Sequence, residues 1–328
     1  MLNGAGSFAG ALRRELAERN RAYAGRRAHV ESYGGDPVIV YAPDEGRHGN
    51  FHDAAYAAIV RQPQWAKRFN KVHAQGRALP KAEDSRKWRE LDSCMSSDAL
   101  LMNMFCAPEA ANAGALRRML AIESRELPVF GWKAKVPLQH GRFDRTEVDM
   151  RWGDLLVEAK LTETDFQARK AEIVEAYRDF DEVFERERLP RVLLRKARRR
   201  TAAEFPEEFT QEWEPPVEGA EEIAAAHQAE IVARAERPQH FEPAYAHYQL
   251  IRNVLAAYAH GCRFCLMHDQ RRPDLREAWF EVMAAVKSAE MRTRCLVVTW
   301  QEIAAVVPEE LREFLQVKYG IDSADSSS

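Results

Sequence analysis

The 328-residue chain has few cysteines, no long apolar run and almost no net charge. Its five cysteines are an odd number at scattered positions, which argues against a disulfide framework and favours reduced thiols. No apolar stretch approaches the roughly 18 residues that a membrane-spanning helix needs. Residues 12–21, LRRELAERNR, are charged and amphipathic, unlike the apolar part of a signal peptide. We therefore expect a cytoplasmic protein with no membrane partner.

The overall charge also limits how the chain could bind nucleic acid. A formal net charge of −3 gives no general attraction to DNA, so any such contact must come from a local basic patch. With 46% hydrophobic and 30% charged residues, the composition is that of a globular protein, and the length allows one large domain or two.

Residues 146–166, TEVDMRWGDLLVEAKLTETDF, alternate as the two strands of a β-hairpin do. Asp149 projects from the first strand, and Glu158 and Lys160 project together from the second, after a Gly-Asp turn. Two carboxylates on adjacent strands can bind a hard cation such as Mg²⁺ and leave positions for water and a phosphate oxygen. A nearby ammonium can orient that water and offset charge on the phosphate. The alternative is a hairpin whose charged face is merely solvated.

The spacing D-x8-E-x-K resembles the active-site signature of the PD-(D/E)xK, or restriction-endonuclease-like, nuclease superfamily, with Asp149, Glu158 and Lys160 at its three positions. Val148 stands where that signature is usually written with proline. Lys160 is the only lysine in the chain with an acid two residues before it. The resemblance implies that Asp149 and Glu158 bind Mg²⁺, for which Mn²⁺ could substitute, and that Lys160 positions the nucleophile.

Two segments between residues 76 and 105, GRALP and SSDALLMNMF, are similar to segments of uncharacterised bacterial members of the superfamily. In those relatives a Ser-Ser pair opens the first core helix, so Ser96 or Ser97 would be the N-cap. The relatives have glutamine where this chain has Asp98. We therefore expect Asp98 to be a capping or solvent-facing residue without a catalytic role.

YQLIRN, residues 248–253, resembles a helix that turns a glutamine toward the site in many of these nucleases. We predict a helix from near Pro243 to Gly261, with Gln249, Arg252 and Asn253 on its polar face. The resemblance implies that Gln249 supports the substrate or Lys160, with its amide about 4 to 8 Å from the ammonium or from Glu158. We expect Arg252 to contact DNA.

Glu123 is a further candidate metal ligand. It lies near the end of a helix predicted from Ala110 to Arg125. In the superfamily, a glutamate from the helix before the core sheet sometimes joins the metal shell. A solvated helix carboxylate is the alternative interpretation.

A basic cluster lies in the stretch LPRVLLRKARRR, residues 189–200. It could grip a phosphate backbone, or it could pair with the acidic run EFPEEFTQEWEPPVEGAEE that follows. We interpret residues 189–235 as a segment inserted between core elements. The candidate DNA-binding residues in the cluster are Arg195, Lys196, Arg198, Arg199 and Arg200.

The predicted strands and helices indicate an α/β protein. Strands at about 129–138, 146–152, 155–161, 262–268 and 294–299, with helices before, between and after them, predict a restriction-endonuclease-like α/β/α sandwich with a mixed central sheet. A long helix is predicted at 165–187. We expect a mostly helical N-terminal extension over residues 1–90, a nuclease-like core over 91–322 and a polar tail over 323–328.

The resemblance implies a Mg²⁺-dependent endodeoxyribonuclease of restriction type, a hydrolase that acts on phosphodiester bonds of DNA. One rival is a catalytically silent DNA-binding module of the same fold. A second is a structural protein with no role on nucleic acid. Metal-dependent cleavage distinguishes the enzyme from the silent module, and DNA affinity distinguishes both from the structural protein. A homodimer is left open.

Overall fold

The computed structural model describes residues 5–25, 27–33, 37–73, 79–81, 87–195 and 241–322, with side chains from residue 8 onward. The strands of these residues, in chain order, are β1 (His29–Glu31), β2 (Ile39–Tyr41), β3 (Pro43–Asp44), β4 (Arg47–His48), β5 (Val129–Lys133), β6 (Val136–Pro137), β7 (Phe143–Asp144), β8 (Glu147–Trp152), β9 (Leu155–Ala159), β10 (Arg169–Lys170), β11 (Arg191–Arg195), β12 (Phe241–Tyr245), β13 (Arg263–His268) and β14 (Cys295–Thr299).

The α-helices are interspersed with these strands, and none of the described helices is long and apolar enough to cross a membrane. They are α1 (Ala5–Ala24), α2 (Asp53–Arg61), α3 (Pro63–Ala66), α4 (Ser97–Cys106), α5 (Pro108–Ala111), α6 (Gly114–Met119), α7 (Ala171–Val174), α8 (Phe180–Val183), α9 (Tyr248–Ala259), α10 (Pro273–Ala285), α11 (Ala289–Thr293), α12 (Trp300–Ala304) and α13 (Glu309–Tyr319).

The central sheet has five strands in the order β14-β13-β9-β8-β5. β9, β13 and β14 run parallel to one another, whereas β8 is antiparallel to both β9 and β5. The hairpin predicted from the alternating sequence is thus β8–β9, at the centre of a mixed sheet.

Helices cover both faces of this sheet because the apolar residues of its central strands alternate between two cores. Leu156 of β9 packs in a cluster with residues of α9 and α10. Its neighbours Leu155 and Val157 pack in another cluster with residues of α1, α4, α12 and α13. The predicted α/β class and the sandwich with a mixed sheet are confirmed.

The first helix joins the second of these cores. Leu12 and Leu16 of α1 share the cluster with Leu315 and Tyr319 of α13, so the beginning of the described chain packs against its end. The domain boundary near residue 90 stays a prediction.

Lys318 fixes this junction from inside. Its ammonium, which is completely buried, donates to Asn20 Oδ1 and lies 4.5 Å from the centre of the Tyr41 ring and 4.9 Å from that of Tyr319. Asn20 Nδ2 in turn donates to the carbonyl of Lys318. The aromatic faces offset part of the cost of burying a cation.

Three predicted elements differ in the structure. The segment 165–187 is not one helix, because isolated bridges from Tyr177 to Leu138 and from Phe184 to Val286 hold it as short turns around α7 and α8. Pro243 does not begin the YQLIRN helix; it lies in β12, which pairs with β10 and β11. The strand predicted at 129–138 is interrupted by Lys135, whose φ is +50°.

The buried lysine makes stability depend on pH. Burial lowers the pKa of Lys318 to about 7, although the nearby Cys94 acts to raise it. The pKa of an exposed lysine is about 10.4. Between these values the unfolded chain binds the extra proton, so the free energy of unfolding rises with pH. We predict that this component adds about 1 to 3 kcal/mol between pH 7 and about 9.5.

Urea unfolding of the wild type and of Lys318→Met across this range measures the component as the difference in pH slope between the two proteins. The same substitution at the exposed Lys67 is the control and should keep the wild-type slope. Equal slopes in wild type and Lys318→Met would contradict the prediction.

Candidate active site

The hairpin presents its charged residues as the alternation predicted. In β8, Glu147, Asp149 and Arg151 are partly exposed, while the residues between them are buried. In β9 every residue is buried, and Glu158 is only 2% exposed. Two carboxylates on adjacent strands therefore differ in burial, with Asp149 partly exposed and Glu158 buried.

Asp149 sits where the two strands separate. The β8–β9 register ends at Met150 and Val157, and the amide of Ala159, two residues after Val157, donates to Asp149 Oδ2 at 2.8 Å. Asp149 Oδ1 has no hydrogen bond with another described residue. This contact fixes the direction of the carboxylate and leaves one oxygen for a ligand.

The backbone of Lys160 is held on two sides. Its amide donates to the carbonyl of Met267 in β13 at 2.8 Å, and its carbonyl accepts from the indole of Trp300 at 2.9 Å. Trp300 begins α12 and is fully buried. These two hydrogen bonds fix the backbone of Lys160 against the sheet, although Lys160 lies one residue after the end of β9.

The ammonium of Lys160 makes two polar contacts. It pairs with Glu158 Oε1 at 2.9 Å and donates to Gln249 Oε1 at 3.0 Å. The other oxygen of Glu158 accepts from Asn253 Nδ2 at 2.7 Å. One turn of α9, from Gln249 to Asn253, therefore supports both residues of the E-x-K motif.

Gln249 lies closer to Lys160 than the 4 to 8 Å expected from the sequence, in direct hydrogen-bond contact. Its part in any chemistry stays a prediction. Asn253 lies on the same polar face of the helix, one turn after Gln249. That spacing is the sequence signal that places Asn253 beside Gln249.

The charges shift the pKa values of both hairpin groups. Burial raises the pKa of Asp149, and the neighbouring carboxylates of Glu158 and Asp98 raise it further. Burial opposes the charged form of Lys160, but Glu158, Glu163 and Asp149 outweigh it and raise the pKa of the ammonium. The cleft is thus crowded with negative charge around one buried lysine.

A second ion-pair group adjoins Asp149 and comes from the N-terminal third of the chain. Arg68 donates to Asp98 Oδ2 and to Glu147 Oε2, each at 2.8 Å, and Lys71 lies 3.5 Å from the same Asp98 oxygen. Asp98 is 5% exposed, so the expectation of a capping or solvent-facing residue is wrong. The N-cap of α4 is Ser96, whose hydroxyl accepts from the amide of Ala99.

Gly131 of β5 makes room for this arginine. Its φ is +66°, and a Cβ there would lie 2.2 Å from Arg68 Nη1. Neither Arg68 nor this close approach has a sequence signal, because the two residues belong to segments that meet only in the fold.

Glu163 borders the cleft on another side. Its Oε2 accepts from the amide of Leu161 at 2.7 Å, and its Oε1 accepts from the hydroxyl of Ser97 at 2.5 Å. The beginning of α4 is thereby tied to the chain that leaves β9.

The structure does not bring Glu123 to this cluster. The predicted helix ends at Met119, and Ala121 has a φ of +48°. Glu123 is exposed and acts on Arg263, which pairs with Asp154 in the hairpin turn, at the opposite end of the sheet. The prediction that Glu123 binds the metal is therefore corrected.

Arg252 is also placed differently from the prediction. It is 1% exposed and donates through Nη2 to the carbonyl of Glu147 at 2.9 Å, while its Nε and Nη1 are buried without a hydrogen-bond partner. The polar face of α9 packs against the sheet instead of facing solvent. A phosphate backbone cannot reach this arginine.

Of the five candidate DNA-binding residues in this stretch, only Arg195 is described. It is exposed at the end of β11, opposite Phe241 of β12. The other candidate residues, Lys196, Arg198, Arg199 and Arg200, lie outside the described residues.

The oxygen ligands of the cleft fit Mg²⁺. Asp149 has a free oxygen, and each oxygen of Glu158 has a lone pair beyond the hydrogen bond it accepts. Within the described ranges no group of three or more His, Cys, Asp or Glu side chains could hold a metal ion. Mg²⁺ is usually bound through one or two carboxylates, with water and phosphate oxygens completing the octahedron.

Comparison with known proteins finds a matching family. The family model described as Restriction Endonuclease associating with ARP matches residues 17–320. No curated protein and no solved structure matches the chain.

The buried arrangement of Arg68 leads to a stability prediction. Arg68→Met would leave Asp98 without its main partner in a site where the arginine is 10% exposed. We predict that the free energy of unfolding falls by about 2 to 4 kcal/mol. Lys71→Met removes the other cation of Asp98, but that side chain is 45% exposed, and the loss should stay below about 1 kcal/mol. Urea unfolding of both variants at neutral pH makes the comparison; equal losses would show that Arg68 has no special part.

Proposed function

The chain belongs to the family Restriction Endonuclease associating with ARP, and we propose that it hydrolyses phosphodiester bonds of DNA in a metal-dependent reaction centred on Asp149, Glu158 and Lys160. The observation that carries the proposal is the cluster of these three residues, which the D-x8-E-x-K spacing predicts and Gln249 and Asn253 support through hydrogen bonds. An ordinary solvated hairpin face would not bury a lysine and a glutamate together.

Asp149 and Glu158 would hold the metal. When bound, Mg²⁺ supplies positive charge to a phosphate oxygen and makes a coordinated water more acidic. The hydrogen bond from the Ala159 amide keeps Asp149 aimed at this position, and Asn253 does the same for Glu158.

Lys160 would orient the attacking water and offset charge on the phosphate. Its pKa is raised, so it stays an ammonium at neutral pH and acts as a donor and not as a base. Gln249 accepts one of its three protons and Glu158 another, which leaves one for water or substrate. Gln249 therefore acts by positioning Lys160.

We predict that the protein nicks or linearises plasmid DNA with Mg²⁺ or Mn²⁺ and not with Ca²⁺ or EDTA. Asp149→Asn should lower the cleavage rate at least about a thousand-fold, because it weakens metal binding. The asparagine can still accept from the Ala159 amide, so folding should be kept. Lys160→Gln should be similarly inactive.

Asp154→Asn is the matched control, since it lies in the turn of the same hairpin and pairs with Arg263 far from the cluster. It should cut like the wild type. Cleavage that survives in purified Asp149→Asn would overturn the assignment. Wild-type protein that binds DNA but never cuts it would instead support the silent binding module.

The contact between Gln249 and Lys160 gives a second prediction. Gln249→Ala should slow cleavage by about ten- to a thousand-fold, as the loss of an orienting group does, and leave folding nearly intact. The rate constant at saturating DNA and the urea midpoint are the two measurements. Gln316→Ala, on the exposed side of α13, is the control. Unchanged cleavage in Gln249→Ala would remove this residue from the mechanism.

A further inference from the structure

A second cleft adjoins the candidate active site. It has a volume of about 530 Å³ and lies between α1, the β1–β2 segment and the beginning of α4. Glu163 and Ser97 are part of its lining, and the charge of Glu163 also raises the pKa of Lys160. A ligand in this cleft would therefore lie near Lys160.

The lining of the cleft combines apolar and charged residues. Its partly exposed apolar residues include Pro37, Val38 and Met95, which we call the apolar wall. The lining also includes exposed arginines of α1, among them Arg14, which makes no hydrogen bond or ion pair with any other residue that the structure describes. An apolar wall beside an unpaired cation suits a ligand with a flat, weakly polar part and an anionic part.

The acidic residues in the lining differ in how far they neutralise the charge of Arg14. Glu90 pairs with Lys71 at 2.9 Å, and Glu163 accepts from Ser97 and Leu161. Glu18, one helical turn after Arg14, forms no ion pair with another described residue. Arg14 is thus available to an anion, with Glu18 as an opposing charge nearby.

From these observations we propose that the cleft binds one nucleotide of the substrate strand, with its phosphate at Arg14 and its base on the apolar wall. The volume is within the range of small-ligand sites and exceeds what a phosphate alone would fill. The role in DNA cleavage rests on the proposed function, whereas nucleotide binding by the cleft does not.

The test uses dAMP as the probe, in isothermal titrations without metal up to about 10 mM, because a single nucleotide should bind with a dissociation constant on the order of 1 mM. Deoxyadenosine and inorganic phosphate are titrated separately, and each should bind at least about tenfold more weakly than dAMP. Phosphate that binds as tightly as dAMP would overturn the proposal, because the base would then contribute nothing.

Charge variants on α1 give opposite expected shifts. Arg14→Gln should weaken dAMP binding about tenfold or more, as the loss of a charge-assisted hydrogen bond does. Glu18→Gln should strengthen it by about two- to fivefold. Arg19→Gln, on the same helix but paired with Glu15, should have no effect. Binding that is absent, or that Arg14→Gln leaves unchanged, would overturn the proposal.

Cleavage assays then separate the two proposals. Arg14→Gln should raise KM for DNA about tenfold with kcat nearly unchanged, since the contact contributes equally to substrate and transition state. A wild-type protein that never cuts DNA would contradict the proposed nuclease activity. The dAMP titrations would still show whether the cleft binds a nucleotide.

Discussion

The buried ion pair between Lys160 and Glu158 is the interaction on which the arrangement of the core depends. The two side chains are 6% and 3% exposed, and removing such charges from water costs several kcal/mol for each ion. Their mutual attraction offsets that cost only if the remaining donors and acceptors are satisfied. Gln249 supplies an acceptor to Lys160 and Asn253 a donor to Glu158, so a shift of α9 along the sheet would take one hydrogen bond from each buried charge.

Sequence patterns were sufficient for the parts of this arrangement that are local. Period-two alternation identified β8 and β9 and the shared direction of Glu158 and Lys160, and helical spacing identified the polar face of α9. The same spacing failed for Arg252, because it shows which residues share a face but not what that face packs against. It failed again over residues 165–187, where isolated bridges from Tyr177 to Leu138 and from Phe184 to Val286 replace the helix.

Contacts between distant segments were beyond prediction from the sequence. Arg68 reaches Glu147 across 79 residues and Asp98 across 30, and the space for it depends on a glycine in β5. Asp98 seemed dispensable because it differs from the glutamine of similar proteins, yet it is a buried neighbour of Asp149. A cation and an acid that pair in the fold carry no mutual signal in a single sequence.

The charge balance of the cleft bears on the order in which ligands could enter. Among the described residues around the hairpin there are more acids than bases: Asp98, Glu147, Asp149, Glu158 and Glu163 against Arg68, Lys71, Lys160 and Arg252. The raised pKa of Asp149 has the same origin, since burial and nearby acids disfavour its ionised form. A divalent cation held by Asp149 and Glu158 would offset this excess of acids. A phosphodiester anion approaching the cleft would be repelled until that cation is present. On the proposed function, the metal therefore binds before the scissile phosphate or together with it, and a phosphate in the neighbouring cleft, held by Arg14, avoids this repulsion because its cation belongs to the protein.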